Sequence, residues 1–277
     1  MKKYLSLFAI LFVISLGDAV ASQYKVMTWN VEDMDIFDGQ GTNRVPSQLK
    51  KEKAIASVIR KVDPDVMLMV ESPSLIEMQY FVAANHLNYQ VAHFRQQKGN
   101  RSFADGFILL VKEGLNLKHA SLKTPPIEGS HAAPQNRYRD WSMRGLVVAE
   151  IEDFTFIGVH LKSPTSNPDK DDLVKRLKQA KSLVTYAEQL QGTIIAAGDF
   201  NDGPGRGPLE KRFDQPDTIG ILEKTFKRAA GDERTHEKGF NIDHVMVRNA
   251  AASNRTVVPT PWILSDHRPV WVKIEFN

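Results

Sequence analysis

Apolar residues recur along this chain with two periods, and polar residues gather where the apolar runs stop. Alternation with period two marks "YKVMTWNV" (Tyr24–Val31) as a strand, with Val26, Thr28 and Asn30 on one side. A helical period follows in "PSQLKKEKAIASVIRKVDPD", where Ile55, Val58, Ile59 and Val62 share a face. Ser47 stands as its cap and Asp63-Pro64 as its stop. "VMLMVE" (Val66–Glu71) is a short apolar strand ending in an acid, and Leu75 to Leu87 predicts a second helix.

"GFILLV" (Gly106–Val111), "GLVVAEI" (Gly145–Ile151) and "FTFIGVHL" (Phe154–Leu161) read as strands, the last two joined as a hairpin through "EDF". The longest helical pattern, "PDKDDLVKRLKQAKSLVTYAEQL", puts Leu173, Leu177, Ala180, Leu183, Val184 and Leu190 on one stripe. "TIIAAGDF", "NIDHVMVR" and "PVWVKIEF" complete the strands. Many of these strands are apolar on both faces and must be covered on both sides. Two sheets packed on each other with helices outside, a layered α/β sandwich, satisfy that requirement. The long polar segment "KTPPIEGSHAAPQNRYRDW" is the expected mobile, substrate-facing loop.

The strand ends carry the chemistry. Asn30, Glu71, His160, Asp199 with Asn201, and Asp243 each end or flank a strand, and Asp266 and His267 stand just before the last one. Taken singly, each has an ordinary explanation: a turn cap, a solvated strand end, an Asx turn in "DFNDGPG", a satisfied core histidine. Together they form a set of hard oxygen donors suited to Mg²⁺ or Mn²⁺, accompanied by histidines that can donate to phosphate. Cys–His zinc spacing, G-x-S-x-G and the P-loop pattern do not occur.

Composition narrows the setting. Lys2 and Lys3, an apolar run from Tyr4 to Leu16 and the Ala19-x-Ala21 pattern read as a secretory signal over residues 1–21, with Ser22 as the mature start. The alternative, an uncleaved anchor, is disfavoured because the run is shorter than the roughly 18 residues of a span. Residues 22–277 are then expected to form one domain, exported to the periplasm or the medium. There are no cysteines, so stability rests on core packing. The formal charge is +3, and loss of Lys2, Lys3 and Asp18 leaves about +2, which admits an anionic substrate without demanding one.

"TWNVE", "VMLMVES", "GVHLKSP", "AAGDFND", "NIDHVMV" and "LSDHRPVWVKI", in that order, resemble the endonuclease/exonuclease/phosphatase superfamily, over Tyr24 to Phe276. That family includes deoxyribonuclease-I-like and exonuclease-III-like nucleases, neutral sphingomyelinases and inositol polyphosphate 5-phosphatases. The resemblance implies a four-layer α/β/β/α sandwich of two packed mixed sheets flanked by helices, and cleavage of a phosphate ester with Mg²⁺ or Mn²⁺. It makes Glu71 the primary metal ligand with Asn30 beside it, and Asp266 a ligand or close neighbour of the metal. It gives Asp199 the attacking water, Asn201 a non-bridging phosphate oxygen, and His267, oriented by Asp243, a proton for the phosphate. His160 matches the phosphate-contacting histidine of the deoxyribonuclease-I-like branch, Asp105 its acidic partner, and Arg144 a strand-start arginine that contacts phosphate; the ordinary readings are a solvated turn acid before Gly106 for Asp105 and a surface cation stacked on Trp141 for Arg144.

The substrate expected from that pattern is DNA, with RNA as a further option, acted on by a monomer. The basic segment "HFRQQKGNRS", with Arg95, Lys98 and Arg101, suits a nucleic-acid backbone, although a solvated basic loop explains it as well. One alternative is a phospholipid-headgroup phosphodiesterase or phosphatase, for which Trp262 and Ile263 in "VVPTPWILSDH" provide apolar contact. Another is an inactive binding or toxin-like module on the same fold.

Overall fold

The computed structural model describes residues 22–32, 34, 46–94, 106–125, 145–163, 170–203 and 218–276. In chain order these form β1 (Gln23–Asn30), α1 (Pro46–Val62), β2 (Val66–Ser72), α2 (Leu75–Ala84), β3 (Tyr89–Phe94), β4 (Gly106–Lys112), β5 (Leu117–Lys123), β6 (Leu146–Ile151), β7 (Phe154–His160), α3 (Lys170–Glu188), β8 (Thr193–Asp199), α4 (Thr218–Leu222), β9 (Lys227–Arg228), β10 (Asp243–Arg248), β11 (Ala251–Val257) and β12 (Val270–Glu275). Among the described residues there are two six-stranded sheets, ordered β11-β12-β1-β2-β4-β3 and β5-β6-β7-β8-β10-β9. Each is mixed: β1–β2 and β7–β8 are parallel, and the other pairs are antiparallel.

Three apolar layers hold the sandwich together. Val26, Leu68, Phe107, Leu109, Phe156, Ile195, Ala197, Val245 and Val272 fill the space between the sheets. The alternate residues of the first sheet, Met27, Trp29, Met67, Met69 and Ile108, pack against Ile55 and Ile59 of α1 and Met78 and Phe81 of α2. On the second sheet, Ile157, Val159, Ile194, Ala196 and Met246 pack against Ala180, Leu183 and Ala187 of α3 and Ile219 of α4. Strands buried on both faces account for the uninterrupted apolar runs, as the pattern predicted.

Several boundaries differ from the sequence reading. Helix α1 begins at Pro46, whose fixed φ suits a first helical position, so Ser47 lies inside the first turn and not at the cap. Helix α2 ends at Ala84 and not near Leu87, because His86 adopts a positive φ of 51°. Its start carries a capping box: Ser74 Oγ accepts the Glu77 N–H, and the Glu77 carboxylate accepts the Ser74 N–H. Strands β3, β5, β9 and β11 were not apparent in the pattern. β5 and β11 are half-exposed sheet edges, and their side chains therefore lack a clear apolar face. The proposed signal at 1–21, the basic segment 95–101 and nearly all of the polar loop 123–141 lie outside the described residues.

Candidate active site at the sheet edge

The inter-sheet face of each central strand runs as an apolar row and ends in a polar residue. Val26, Thr28 and Asn30 follow one another in β1, Ile195, Ala197 and Asp199 in β8, Phe156, Gly158 and His160 in β7. Val247, Val245 and Asp243 do the same in β10, read backwards because that strand is antiparallel. Period-two geometry thus puts Asn30, His160, Asp199 and Asp243 on one face at one edge. Register sharpens this: Asp199 pairs directly with His160 on one side and Asp243 on the other. The site is the polar end of the inter-sheet core.

Two residues reach the centre through backbone conformations that side-chain-bearing residues seldom adopt. Glu71 has φ 54° and sits in a register irregularity between Val70 and Ser72 that re-aims the strand end. Asn201, two residues past the end of β8, has φ 52°. Gly198, at φ 150°, allows the third unusual approach: a Cβ there would fall 1.9 Å from Val159 O on the neighbouring strand. Asp199 is therefore delivered by a position that only glycine fills.

Asp199 is the hub. Its Oδ1 accepts the Asn201 N–H at 2.8 Å, while Oδ2 faces Asn30 Nδ2 at 3.3 Å, His160 Nε2 at 3.6 Å and His267 Nε2 at 3.8 Å. Asn30 Nδ2 also donates to Glu71 Oε1 at 3.1 Å, and Asn30 Oδ1 accepts the Glu32 N–H at 3.0 Å. Carboxylates cannot donate, so the nitrogen of Asn30 must face them. Asn30 therefore fixes Glu71 and Asp199, and its oxygen is turned away towards Glu32. His160 Nε2 stands 3.5 Å from Glu71 Oε1, with Phe107 edge-on to its ring. Asn201 Nδ2 donates to Leu161 O at 3.1 Å.

His267 is seated from several sides. Its Nδ1 donates to the fully buried Asp243 at 2.8 Å, and Nε2 lies 3.7 Å from Asp266 Oδ1. Trp29 Nε1 donates to the His267 carbonyl at 3.1 Å. Ser265 Oγ donates to Asn30 O at 2.7 Å and accepts the His267 N–H at 3.0 Å, stapling the loop to the end of β1. Burial opposes a charge on His267, but the Asp243 and Asp199 carboxylates outweigh it and raise its pKa to about 10. Burial pushes the Asp199 carboxyl up to about 6, the His267 charge opposing and Asp243 assisting. At neutral pH the pair is thus a carboxylate facing an imidazolium. Burial also acts upward on Asp266, but His236 and the charge on His267 override it and its carboxyl lies below its usual value.

The structure therefore gathers Asn30, Glu71, His160, Asp199, Asn201, Asp243, Asp266 and His267 at one edge. Asp105 and Arg144 lie outside the described residues. The donor set fits a hard divalent cation. Glu71, Asp199 and Asp266 supply carboxylate oxygens and no thiol is present, whereas His267, an imidazolium that gives Nδ1–H to Asp243, has no lone pair to offer a cation. Sequence reasoning missed Trp29, Ser265, Thr235 and His236. The first two stand inside the motifs "TWN" and "LSDHRP", where only tertiary contact reveals their work. Thr235 and His236 belong to "THEKGF", a stretch that no periodicity marks.

A sandwich of two mixed sheets, with acids, amides and two histidines collected at one edge, defines the class of protein. The chain belongs to the endonuclease/exonuclease/phosphatase family, whose model matches residues 27–267. Members of that family are divalent-metal-dependent phosphoester hydrolases. A search of curated proteins by sequence finds no match. Among solved structures, D. rerio TDP2 complexed with a single-strand DNA product is similar at TM-score 0.62 and 13% identity, over 91% of this chain and 99% of that one. The human nocturnin catalytic domain with bound sulfate aligns at TM-score 0.60 and 15% identity, over 92% and 95% of the two chains. An endonuclease/exonuclease/phosphatase family protein from Bacteroides thetaiotaomicron aligns at TM-score 0.60 and 13% identity, over 93% and 99%. At these identities the likeness is one of fold.

Proposed function

We propose that this chain is an exported phosphodiesterase that hydrolyses DNA, and RNA as a second substrate, by in-line attack of water on phosphorus. The observation that carries the reaction is the pairing of a buried Asp199 with an Asp243-held His267 at one sheet edge. A base and an acid with pKa values displaced to either side of neutrality are the equipment for moving a proton onto and off a phosphate ester. Nucleic acid is favoured by the fold shared with TDP2, whose structure holds a single-strand DNA product, and by the resemblance of His160 to the phosphate-contacting histidine of the deoxyribonuclease-I-like branch. Export rests on the signal pattern at 1–21.

In this mechanism Asp199 accepts one proton of the attacking water as the new O–P bond forms; the opposite ester P–O bond breaks, and the departing alkoxide leaves as the alcohol with a proton drawn from solvent water. His267, kept as imidazolium by Asp243, donates to the phosphate as charge builds. His160 Nε2 and the second amide hydrogen of Asn201 serve the same oxygens. Glu71 and Asp266 would hold the cation, with Asn30 orienting Glu71. A bound Mg²⁺ or Mn²⁺ supplies Lewis-acid neutralisation of the phosphate.

One observation favours a second reading, a phospholipid-headgroup phosphodiesterase. Ile263 is 89% exposed three residues before Asp266 and so offers an apolar contact beside the site. A single panel separates the two: residues 22–277 incubated with plasmid, single-stranded DNA, RNA, sphingomyelin vesicles and bis-p-nitrophenyl phosphate, with Mg²⁺ or with EDTA. Expected are cleavage of nucleic acid and of the small diester, loss of both in EDTA, and loss of turnover by orders of magnitude in Asp199→Ala with the protein still folded by circular dichroism. Lipid hydrolysis without nucleic-acid cleavage would refute the nuclease reading. Full activity of Asp199→Ala would refute the mechanism.

A further inference from the structure

The loop Thr235–Phe240 stands against the site, yet neither the proposed reaction nor any motif assigns it a part. It closes on itself: the N–H groups of Thr235 and His236 both donate to Phe240 O, at 2.8 and 3.0 Å, and Gly239 N–H donates to His236 O at 2.9 Å. From this base it reaches three residues of the site. Thr235 Oγ1 accepts the N–H of Ile242 at 3.0 Å and that of Asp243 at 3.1 Å, fixing the start of β10. Glu237 N–H donates to Asp266 O, and Arg268 N–H donates to Thr235 O, at 2.9 and 2.7 Å. His236 and His267 pair as an isolated antiparallel bridge, their rings 4.7 Å apart and edge-on.

The ring of His236 has a defined polarity. Its Nδ1 accepts the Lys238 N–H at 3.0 Å, so that nitrogen carries no proton and the hydrogen of the neutral ring sits on Nε2. Nε2 lies 3.3 Å from Asp266 Oδ2 and donates to it. The same assignment argues against His236 as a metal ligand, because the lone pair it would need lies on the nitrogen already engaged by Lys238. Asp266 is then held at three points: Glu32 Oε2 on its N–H, Glu237 on its carbonyl, and His236 on one carboxylate oxygen. Its other oxygen, Oδ1, is left facing His267 Nε2.

We infer that His236 is a positioning residue, an Nε2–H donor that orients the Asp266 carboxylate beside His267. The inference rests on the hydrolase reading above for its consequence but not for its geometry. Outer-shell partners of this kind are worth about 10- to 100-fold in activity or metal affinity. His236→Phe retains the ring against Phe240 and His267 but loses both nitrogens. His236→Gln retains a donor at the Nε2 position.

The test combines steady-state hydrolysis of bis-p-nitrophenyl phosphate with ¹⁵N NMR of the histidine rings in metal-free protein. Expected are an Nε2–H tautomer for His236, a fall in kcat of about 10- to 100-fold in His236→Phe with KM nearly unchanged, and recovery of most of that loss in His236→Gln. An Nδ1–H tautomer would overturn the inference whatever the activity. So would an unchanged kcat in His236→Phe, or a loss in His236→Gln equal to that in His236→Phe, which would assign the residue to packing alone. If wild-type protein hydrolyses none of the diesters, the hydrolase reading fails while the tautomer still decides the geometry.

Discussion

Asp243→Asn removes one negative charge from beside the ring of His267 and leaves an acceptor oxygen facing Nδ1. The carboxylate is fully buried, its Oδ2 lies 2.8 Å from Nδ1, and an amide oxygen can take the same place. A charge-assisted bond of that kind contributes about 1.5–3 kcal/mol. At about 1.4 kcal/mol per pH unit, its loss moves the titration of His267 down by about one to two pH units. The wild-type imidazolium, held at about 10, persists across the neutral range. In the variant, the alkaline limb of a pH–kcat profile should therefore move towards neutrality, and activity at pH 9 should fall more than activity at pH 7.

Stability follows the same sign. A histidine raised above its unfolded value of 6.5 stabilises the fold fully below that pH and loses the contribution as pH climbs through about 10. Asp243→Asn should weaken the protein most at and below neutrality, and the deficit should narrow as pH approaches 10. The assays are kcat against pH on bis-p-nitrophenyl phosphate, NMR titration of His267, and urea unfolding at matched pH values. A uniform drop in kcat with the alkaline limb unmoved would show that Asp243 supports geometry only, and would refute the electrostatic reasoning.

Two further outcomes test how the fold carries the site. His244 is wholly buried behind the edge with Nε2 donating to Asp202 O at 2.9 Å, and burial lowers its pKa to about 4. It therefore contributes stability above its unfolded 6.5 that is lost as pH falls through about 4. The difference is worth up to about 3 kcal/mol. His244→Gln keeps a donor and removes the titration, so its urea midpoint should fall less between pH 7.5 and 4.5 than that of the wild type. An equal fall in both would contradict this. Gly198→Ala forces a methyl against Val159 O and should cost about 3 kcal/mol or more, or prevent folding. A thermal midpoint within a degree of wild type would refute the claim that Asp199 depends on that glycine.

The sequence by itself determined the layered fold and the identity of most edge residues. The reason is local. A strand covered on both faces must be apolar throughout, and a carboxylate or amide that closes such a run, as Glu71 and Asp199 do, cannot be there for packing. Period two then assigns Asn30, His160, Asp199 and Asp243 to one side of their strands without any knowledge of partners. The edge strands β5 and β11 were illegible for the converse reason: one exposed face removes the contrast on which periodicity depends.

Only the tertiary structure decided which nitrogen or oxygen faces which. Asn30 turns its nitrogen inward because Glu71 and Asp199 arrive from strands 41 and 169 residues away and can only accept. Asp199 meets His267 because β10 pairs antiparallel with β8 while β12 pairs antiparallel with β1 on the facing sheet. The displaced pKa values of that pair follow from burial and mutual charge, quantities that do not exist until both sheets close. His236 is the clearest case. No pattern within "THEKGF" marks it, and its meaning comes from a bridge to His267 and a bond to Asp266 that the folded chain alone creates.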